Sequence, residues 1–402
     1  MREVLRGARV LDGLGGDAEA GDILLEDGLI VDLGSGFDAD VETDVSGRWI
    51  MPGAIDCHVH AMVESFDLDT VLATPFSLAF YVAARNLALT LQAGVTFVRD
   101  AGGADLGVKR AQELGYLAGP AMQISVNLLS ITGGHADHWS PCGYALPDLL
   151  AHPGRPDGVC DGPAEVVRRT REMIRAGADF VKLCATGGVL SPRDHPSESQ
   201  FLPEELRLIV ETAAAAHRPV AAHAQGAEGV KNAVRAGVRS IEHGTMIDDE
   251  AIDEMLARGT FLVPTLAALR WVTESPEGRR PSEVEQAREI LDVQRESVTR
   301  TIEAGVRIAV GSDAGVVPHG TNLRELELLV EFGMSPRDAI RAATSEGADL
   351  LGIGDRVGRI APGYRADLLV LDSDPLESMA GLASGSSIVD VRQAGKSVRA
   401  GV

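Results

Sequence analysis

Four times in this chain a helical pattern breaks on Ala-Gly and an apolar run follows within a few residues. The breaks are Ala93-Gly94, Ala176-Gly177, Ala236-Gly237 and Ala304-Gly305. Glycine just past the last helical turn is a stop, because it enters the left-handed backbone region without a steric penalty. The apolar runs number eight: AIDCHVH (54–60), VTFVRDAGG (95–103), MQISVNLLS (122–130), DFVKLCATGG (179–188), PVAAHAQG (219–226), SIEHGT (240–245), TFLVPTL (260–266) and RIAVGSDAG (307–315). Amphipathic patterns such as PAEVVRRTREMIRAG and PEELRLIVETAAAAH lie between most of them. Each opens near Pro, Ser or Asp and closes near Gly or His, as helices do. Eight strand–helix units in a row predict an α/β fold, a (β/α)8 TIM barrel.

The flanks read differently. Residues 1–53 carry short β-type runs with Gly/Asp turns, and strands return after Leu351 in GRIAPGYRADLLVLDSDPL and SIVDVRQAGKSVRAG. The pattern predicts one small β-sandwich domain built from both termini, 1–53 and 352–402, beside a catalytic barrel of residues 54–351. Long loops are expected at 131–162, after the third run, and from Leu266 to about Pro281, after the seventh. Loops of that length after barrel strands cap the carboxyl-terminal face, where function sits.

With 37 basic and 59 acidic residues the formal net charge is −22, which repels phosphate backbones and anionic lipid. A small-molecule substrate is expected, with neither nucleic acid nor membrane as partner; a homo-oligomer is compatible with this surface. MREVLRGARV lacks the apolar core of a signal peptide, and the apolar stretch Phe76 to Leu91 is broken by Arg85 and Asn86. The four cysteines, Cys57, Cys142, Cys160 and Cys184, form no CxxC pair and read as reduced thiols of a cytoplasmic protein.

The chemistry gathers where the runs end. His58 and His60, at i and i+2 of one strand, point to the same side. His223 closes the fifth run, His243 the sixth and Asp313 the eighth. One such residue reads as a capped or hydrogen-bonded core group; five at the same edge of one barrel suit a divalent ion such as zinc. Lys182 is one of only four lysines in the chain, and it sits inside the apolar fourth run. A desolvated lysine loses its proton readily, and the neutral amine adds carbon dioxide to give a carbamate whose two oxygens can bridge two cations. The alternative is an ion pair with an interior carboxylate such as Asp313.

LEDGLIVDLG, PGAIDCHVH, FVKL, the two later histidines, SDAG and RIAPGYRADLLVLD together resemble the amidohydrolase superfamily over nearly the whole chain. ITGGHADHW and HAQGAEGVKNAVRAGVRSIEHGT are similar to its imidazolonepropionase-like branch, which holds microbial metal-dependent prolidases and Xaa-Arg/Xaa-Lys carboxypeptidases. The resemblance implies that His58, His60 and Asp313 hold one metal, that His223 and His243 hold another, and that N6-carboxylated Lys182 bridges two divalent ions, zinc for preference. It implies hydrolysis of an amide-like C–N bond by a metal-bridging hydroxide, with Asp313 as the proton carrier. The substrate it suggests is a dipeptide of Xaa-Pro type or an N-acyl amino acid. The alternatives are a carbamate or aryl amide hydrolase, a mononuclear deaminase, which would normally lack the bridging lysine, and a non-catalytic barrel scaffold. His135 is implied as a substrate or oxyanion contact, with His138 beside it. Gln225 stands where the dipeptidases commonly carry Tyr, at a position tied to the substrate's terminal carboxylate. Arg193 is a candidate carboxylate-binding cation, set against the reading of a solvated loop charge.

Overall fold

The structure, a computed structural model, describes residues 1–64, 68–137, 139, 143, 152–189, 194–276 and 281–398. The amino-terminal strands are β1 (Arg2–Val10), β2 (Glu19–Glu26), β3 (Leu29–Gly34), β4 (Val41–Asp44) and β5 (Trp49–Pro52). The central strands are β6 (Ala54–Val59), β7 (Val95–Asp100), β8 (Ala121–Ile124), β9 (Leu128–Leu129), β10 (Val181–Cys184), β11 (Val220–Gly226), β12 (Ser240–Met246) and β13 (Phe261–Val263). The carboxyl-terminal strands are β14 (Leu368–Leu371), β15 (Ile388–Gln393) and β16 (Lys396–Ser397).

Both ends of the chain meet in one mixed sheet, in the order β16-β15-β14-β5-β1-β2-β3 with β4 beside β1. Its apolar face has its own cluster, including Leu5, Ile23, Ile30, Ile50, Leu368 and Val370. The central strands pair in parallel as two sheets, β6-β7-β8 and β13-β12-β11-β10-β9. They read as nearly unbroken apolar runs because helices cover their outer face. On that face of β6, Ile55 and Cys57 pack with Ala348, Leu350 and Leu351.

The helices begin and end where local chemistry dictates. Asp248 accepts the backbone N–H of Ala251 at the start of helix Asp249–Arg258, and Pro203 opens helix Pro203–Ala214. Gly94, Gly177, Gly237 and Gly305 have φ of 99°, 101°, 98° and 82°. Each Ala-Gly stop is therefore a left-handed cap.

Three details differ from the sequence expectation. The third run splits into β8 and β9. The eighth run forms single bridges, Leu262 to Ile308 and Val59 to Ala314, in place of a continuous strand. The stretch after the seventh run is a helix, Leu266–Glu274. Its first two N–H groups, from Leu266 and Ala267, donate to the carboxylate of Glu325 at 2.8 and 2.9 Å, a distant acceptor that local reading does not reveal. Cys57, Cys160 and Cys184 are free thiols, and Cys142 lies outside the described residues. Among the described residues no helix is long and apolar enough to cross a membrane.

A fully buried carboxylate holds the eighth run in place. Asp56 Oδ1 accepts the backbone N–H of His58 and of Ser312, both at 3.1 Å. Its Oδ2 accepts Ser312 Oγ at 2.5 Å and Asn322 Nδ2 at 2.8 Å. Asp56→Ala strands these donors in the core and should lower the unfolding free energy by about 3 kcal/mol in chemical denaturation. A loss below about 1 kcal/mol would show that the tie contributes little.

Candidate metal centre

The strand ends bring five imidazoles into one arc. Ring centroids run His60 to His58 at 5.4 Å, His58 to His243 at 5.0 Å, His243 to His223 at 4.6 Å and His223 to His135 at 4.2 Å. Asp313 closes one end, its Oδ1 3.3 Å from His60 Nε2 and 3.6 Å from His58 Nε2. One donor atom from each of His58, His60 and Asp313 lies within 4.8 Å of the others, a spacing that suits one cation.

Each of these rings has one nitrogen already engaged, which defines what the other can do. His58 Nδ1 lies 2.7 Å from Glu242 Oε2, His60 Nδ1 2.8 Å from the carbonyl of Gly102, and His243 Nδ1 2.6 Å from Thr265 Oγ1. His223 is turned the other way, with Nε2 3.1 Å from the carbonyl of Gly187. The nitrogens left over are Nε2 of His58, His60 and His243 and Nδ1 of His223. Burial pushes the imidazoles of His58, His223 and His243 toward the neutral form, His58 down to about 4. Neutral imidazole is the form that ligates a metal. Burial pushes the Asp313 carboxyl up, but the His60 contact and the charges of His58, His60 and His243 outweigh it and hold the group well below the usual carboxylate range.

Lys182 lies within electrostatic reach of His58, His223 and His243, and its side chain is almost fully buried. Among the described residues its Nζ has no hydrogen-bond partner. The ion pair with Asp313 considered from the sequence is therefore not formed. Burial pushes the ammonium down to about 8. An orphaned, buried amine between neutral imidazoles and a carboxylate fits a site that takes up cations together with an added anionic group.

Sequence reading missed the group under the arc. Glu242 is fully buried, with Oε1 accepting from Arg99 Nη2 at 2.7 Å and from Ser240 Oγ at 2.5 Å. Burial opposes its charge; Arg99, Lys182 and the bond to His58 overcome that and keep the carboxyl well below its ordinary range. Strict strand alternation puts Glu242 and His243 on opposite sides of β12. The backbone breaks the alternation: His243 has φ of 72°, and the pairing of β11 with β12 shifts register between Ala224 and Gly226. Thr265 and Asp313 also sit in the left-handed region, at φ of 48° and 58°. For non-glycine residues each costs on the order of 1–3 kcal/mol, and such strain gathers at functional sites. Gly311 allows close packing beside His58: a Cβ there would fall 2.3 Å from Val263 Cγ1 and 2.8 Å from His58 Cβ.

Of the loop residues, His135 stacks on His223 and its Nδ1 lies 3.2 Å from Asp194 Oδ2. Gln225 is buried next in line on β11, its Oε1 accepting Thr245 Oγ1 at 3.1 Å. His138 and Arg193 lie outside the described residues.

Neutral imidazoles, a carboxylate and a buried amine at the carboxyl ends of parallel strands are the equipment of a metal-dependent hydrolase. The chain belongs to the amidohydrolase family, whose model matches residues 49–398, and within it to the imidazolonepropionase-like branch. It is a hydrolase acting on carbon–nitrogen bonds. The ochratoxinase of Aspergillus niger is 34% identical over 363 residues, covering 86% of this chain and 75% of that protein. The imidazolonepropionase of Chromobacterium violaceum is 27% identical over 400 residues, covering 89% of this chain and 86% of that one. The crystal structure of a Xaa-Pro dipeptidase with bound methionine in its active site superposes with a TM-score of 0.90 at 32% identity, covering 100% of both chains.

The desolvated amine generates a test. In metal-free, bicarbonate-free buffer at pH 7, Lys182→Met replaces a costly buried ammonium by an apolar chain of similar length. It should raise the unfolding free energy, by up to about 3 kcal/mol. A clear loss of stability would mean that the ammonium is satisfied by water or by an unnoticed partner.

Proposed function

We propose that this enzyme is a binuclear metal-dependent hydrolase of an amide-like C–N bond. The carrying observation is the buried Lys182 amine, without a hydrogen-bond partner among the described residues, beside the arc of imidazoles. In this reading His58, His60 and Asp313 hold one divalent ion, zinc for preference, and His223 and His243 hold the second. Lys182, carboxylated on Nζ, would supply a further anionic ligand. The amine already titrates low enough to be partly neutral near pH 8, which is what addition of carbon dioxide requires. The frame is a closed eight-unit barrel over residues 54–351. Supporting closure, Leu262–Ile308 and Val59–Ala314 bridges link the eighth run to β13 and β6, and β8 and β9 belong to one run of chain. The terminal sheet, with its separate apolar cluster, is assigned to a small sandwich domain of residues 1–53 and 352–402.

When bound, the two ions would polarise the scissile carbonyl and acidify water. The chain's own groups do the rest. Asp313, kept ionised, accepts the proton of the attacking water and delivers it to the leaving nitrogen. His135, tied through Nδ1 to Asp194, offers its other nitrogen to the substrate's carbonyl oxygen. Gln225 sits where it can hydrogen-bond a polar end of the substrate. The substrate is a small molecule, a dipeptide of Xaa-Pro type or an N-acyl amino acid. The full-length likeness to a Xaa-Pro dipeptidase supports that class.

Chelated protein should lose hydrolysis of a panel of Xaa-Pro dipeptides, N-acyl amino acids and aryl carbamates. Zinc with bicarbonate should restore it, with two ions per chain by elemental analysis. One ion per chain, with no turnover of this panel, would favour the mononuclear deaminase instead. Lys182→Ala should cut turnover by on the order of 100-fold or more, with partial recovery in short-chain carboxylic acids. Unchanged turnover would end the binuclear reading.

A further inference from the structure

Arg99 and Glu242 have no place in the chemistry above, yet they form a buried polar relay inside the strands. Arg99 Nε donates to the carbonyl of Cys57 at 2.6 Å, Nη1 to Ser240 Oγ at 3.1 Å and Nη2 to Glu242 Oε1 at 2.7 Å. Ser240 Oγ donates to the same Oε1 at 2.5 Å. That leaves Oε2, 2.7 Å from His58 Nδ1. Arginine can only donate and a carboxylate can only accept, so the direction of every bond in the chain is determined. Arg99 and Glu242 are both essentially enclosed, so nothing in solvent competes for them.

We propose that Glu242, braced by Arg99 and Ser240, is a positioning residue that holds His58 as the Nδ1–H tautomer and thereby keeps the Nε2 lone pair facing Asp313 and the cation site. This rests on the reading of His58 as a metal ligand. The relay acts before any metal arrives: the proton sits on Nδ1 because Oε2 is an acceptor, and the ring cannot present Nδ1 outward without leaving a charged oxygen unpaired.

The relay makes an isosteric substitution informative. In Glu242→Gln the carboxamide oxygen must face Arg99 and Ser240, which are donors, so the NH2 group faces His58. Nδ1 then has to accept, and the ring proton moves to Nε2, where it blocks the lone pair. A ring held in the wrong tautomer disables a site whose geometry is otherwise intact.

The experiment is imidazole 15N–1H correlation NMR on metal-free protein, with His58 assigned by a His58→Gln control, alongside zinc affinity by competition with a chromogenic chelator. Wild type should show His58 protonated on Nδ1. Glu242→Gln should show it protonated on Nε2, with zinc affinity lowered about 10–100-fold. A wild-type His58 protonated on Nε2 would overturn the proposal even if the variant failed to fold. So would a variant with unchanged tautomer and unchanged affinity. Failure of the ligand reading is distinguishable: wild type would then bind no zinc through His58, whatever its tautomer, and the His58→Gln control would bind as tightly.

Discussion

An ammonium held out of water, with no hydrogen bond from the described residues, is the constraint around which this site is arranged. Lys182 has apolar neighbours along its own strand and imidazoles across the space it faces, and among the described residues no carboxylate hydrogen-bonds its Nζ. A protein keeps such a group only where its protonation state or its reactivity is used. Glu242 is the main opposing charge felt by Lys182, but its oxygens are already committed to Arg99, Ser240 and His58. Conversion of the amine to an anionic carbamate would remove the uncompensated cation and add two oxygen ligands in one step.

The same economy of space appears in the backbone. Parallel register pairs His223 with Glu242 and Ala224 with His243, so β11 and β12 deliver neighbouring side chains near one level, while Lys182 pairs with Ala221, deeper along β10. Where the level alone is insufficient, strain makes the adjustment. Left-handed geometry at His243 turns into the site a side chain that alternation would send elsewhere, and Thr265 and Asp313 share that geometry. Thr265 is β-branched and ill suited to φ of 48°, yet its hydroxyl is the partner of His243. The strained position and the useful hydrogen bond coincide in one residue. Asp56, gripping Ser312 and Asn322, supplies the rigidity that such strain needs.

Periodicity and punctuation made much of this legible from the sequence. The Ala-Gly stops were visible because glycine's left-handed freedom is a property of one residue. His58, His60, His223, His243 and Asp313 stood out because a polar group ending an apolar run needs no knowledge of its partners to be noticed, and Lys182 because a lysine inside such a run is costly to desolvate. Glu242 and Arg99 did not stand out, since each makes sense only beside the other, and Arg99 and Glu242 are 143 positions apart. Strand alternation also argued against Glu242, and the φ that reverses it is invisible in a letter code. The helix after the seventh run was hidden for the same reason: its stabilising acceptor, Glu325, comes from 59 residues downstream. Non-local partners, rather than unusual residues, are what a single sequence conceals.

The most direct test is carbon-13 NMR of zinc-loaded protein equilibrated with 13C-bicarbonate. The account predicts a carbamate resonance of one carbon per chain, present in wild type and absent from Lys182→Met. Full zinc occupancy without that resonance, or the same resonance in the methionine variant, would contradict it.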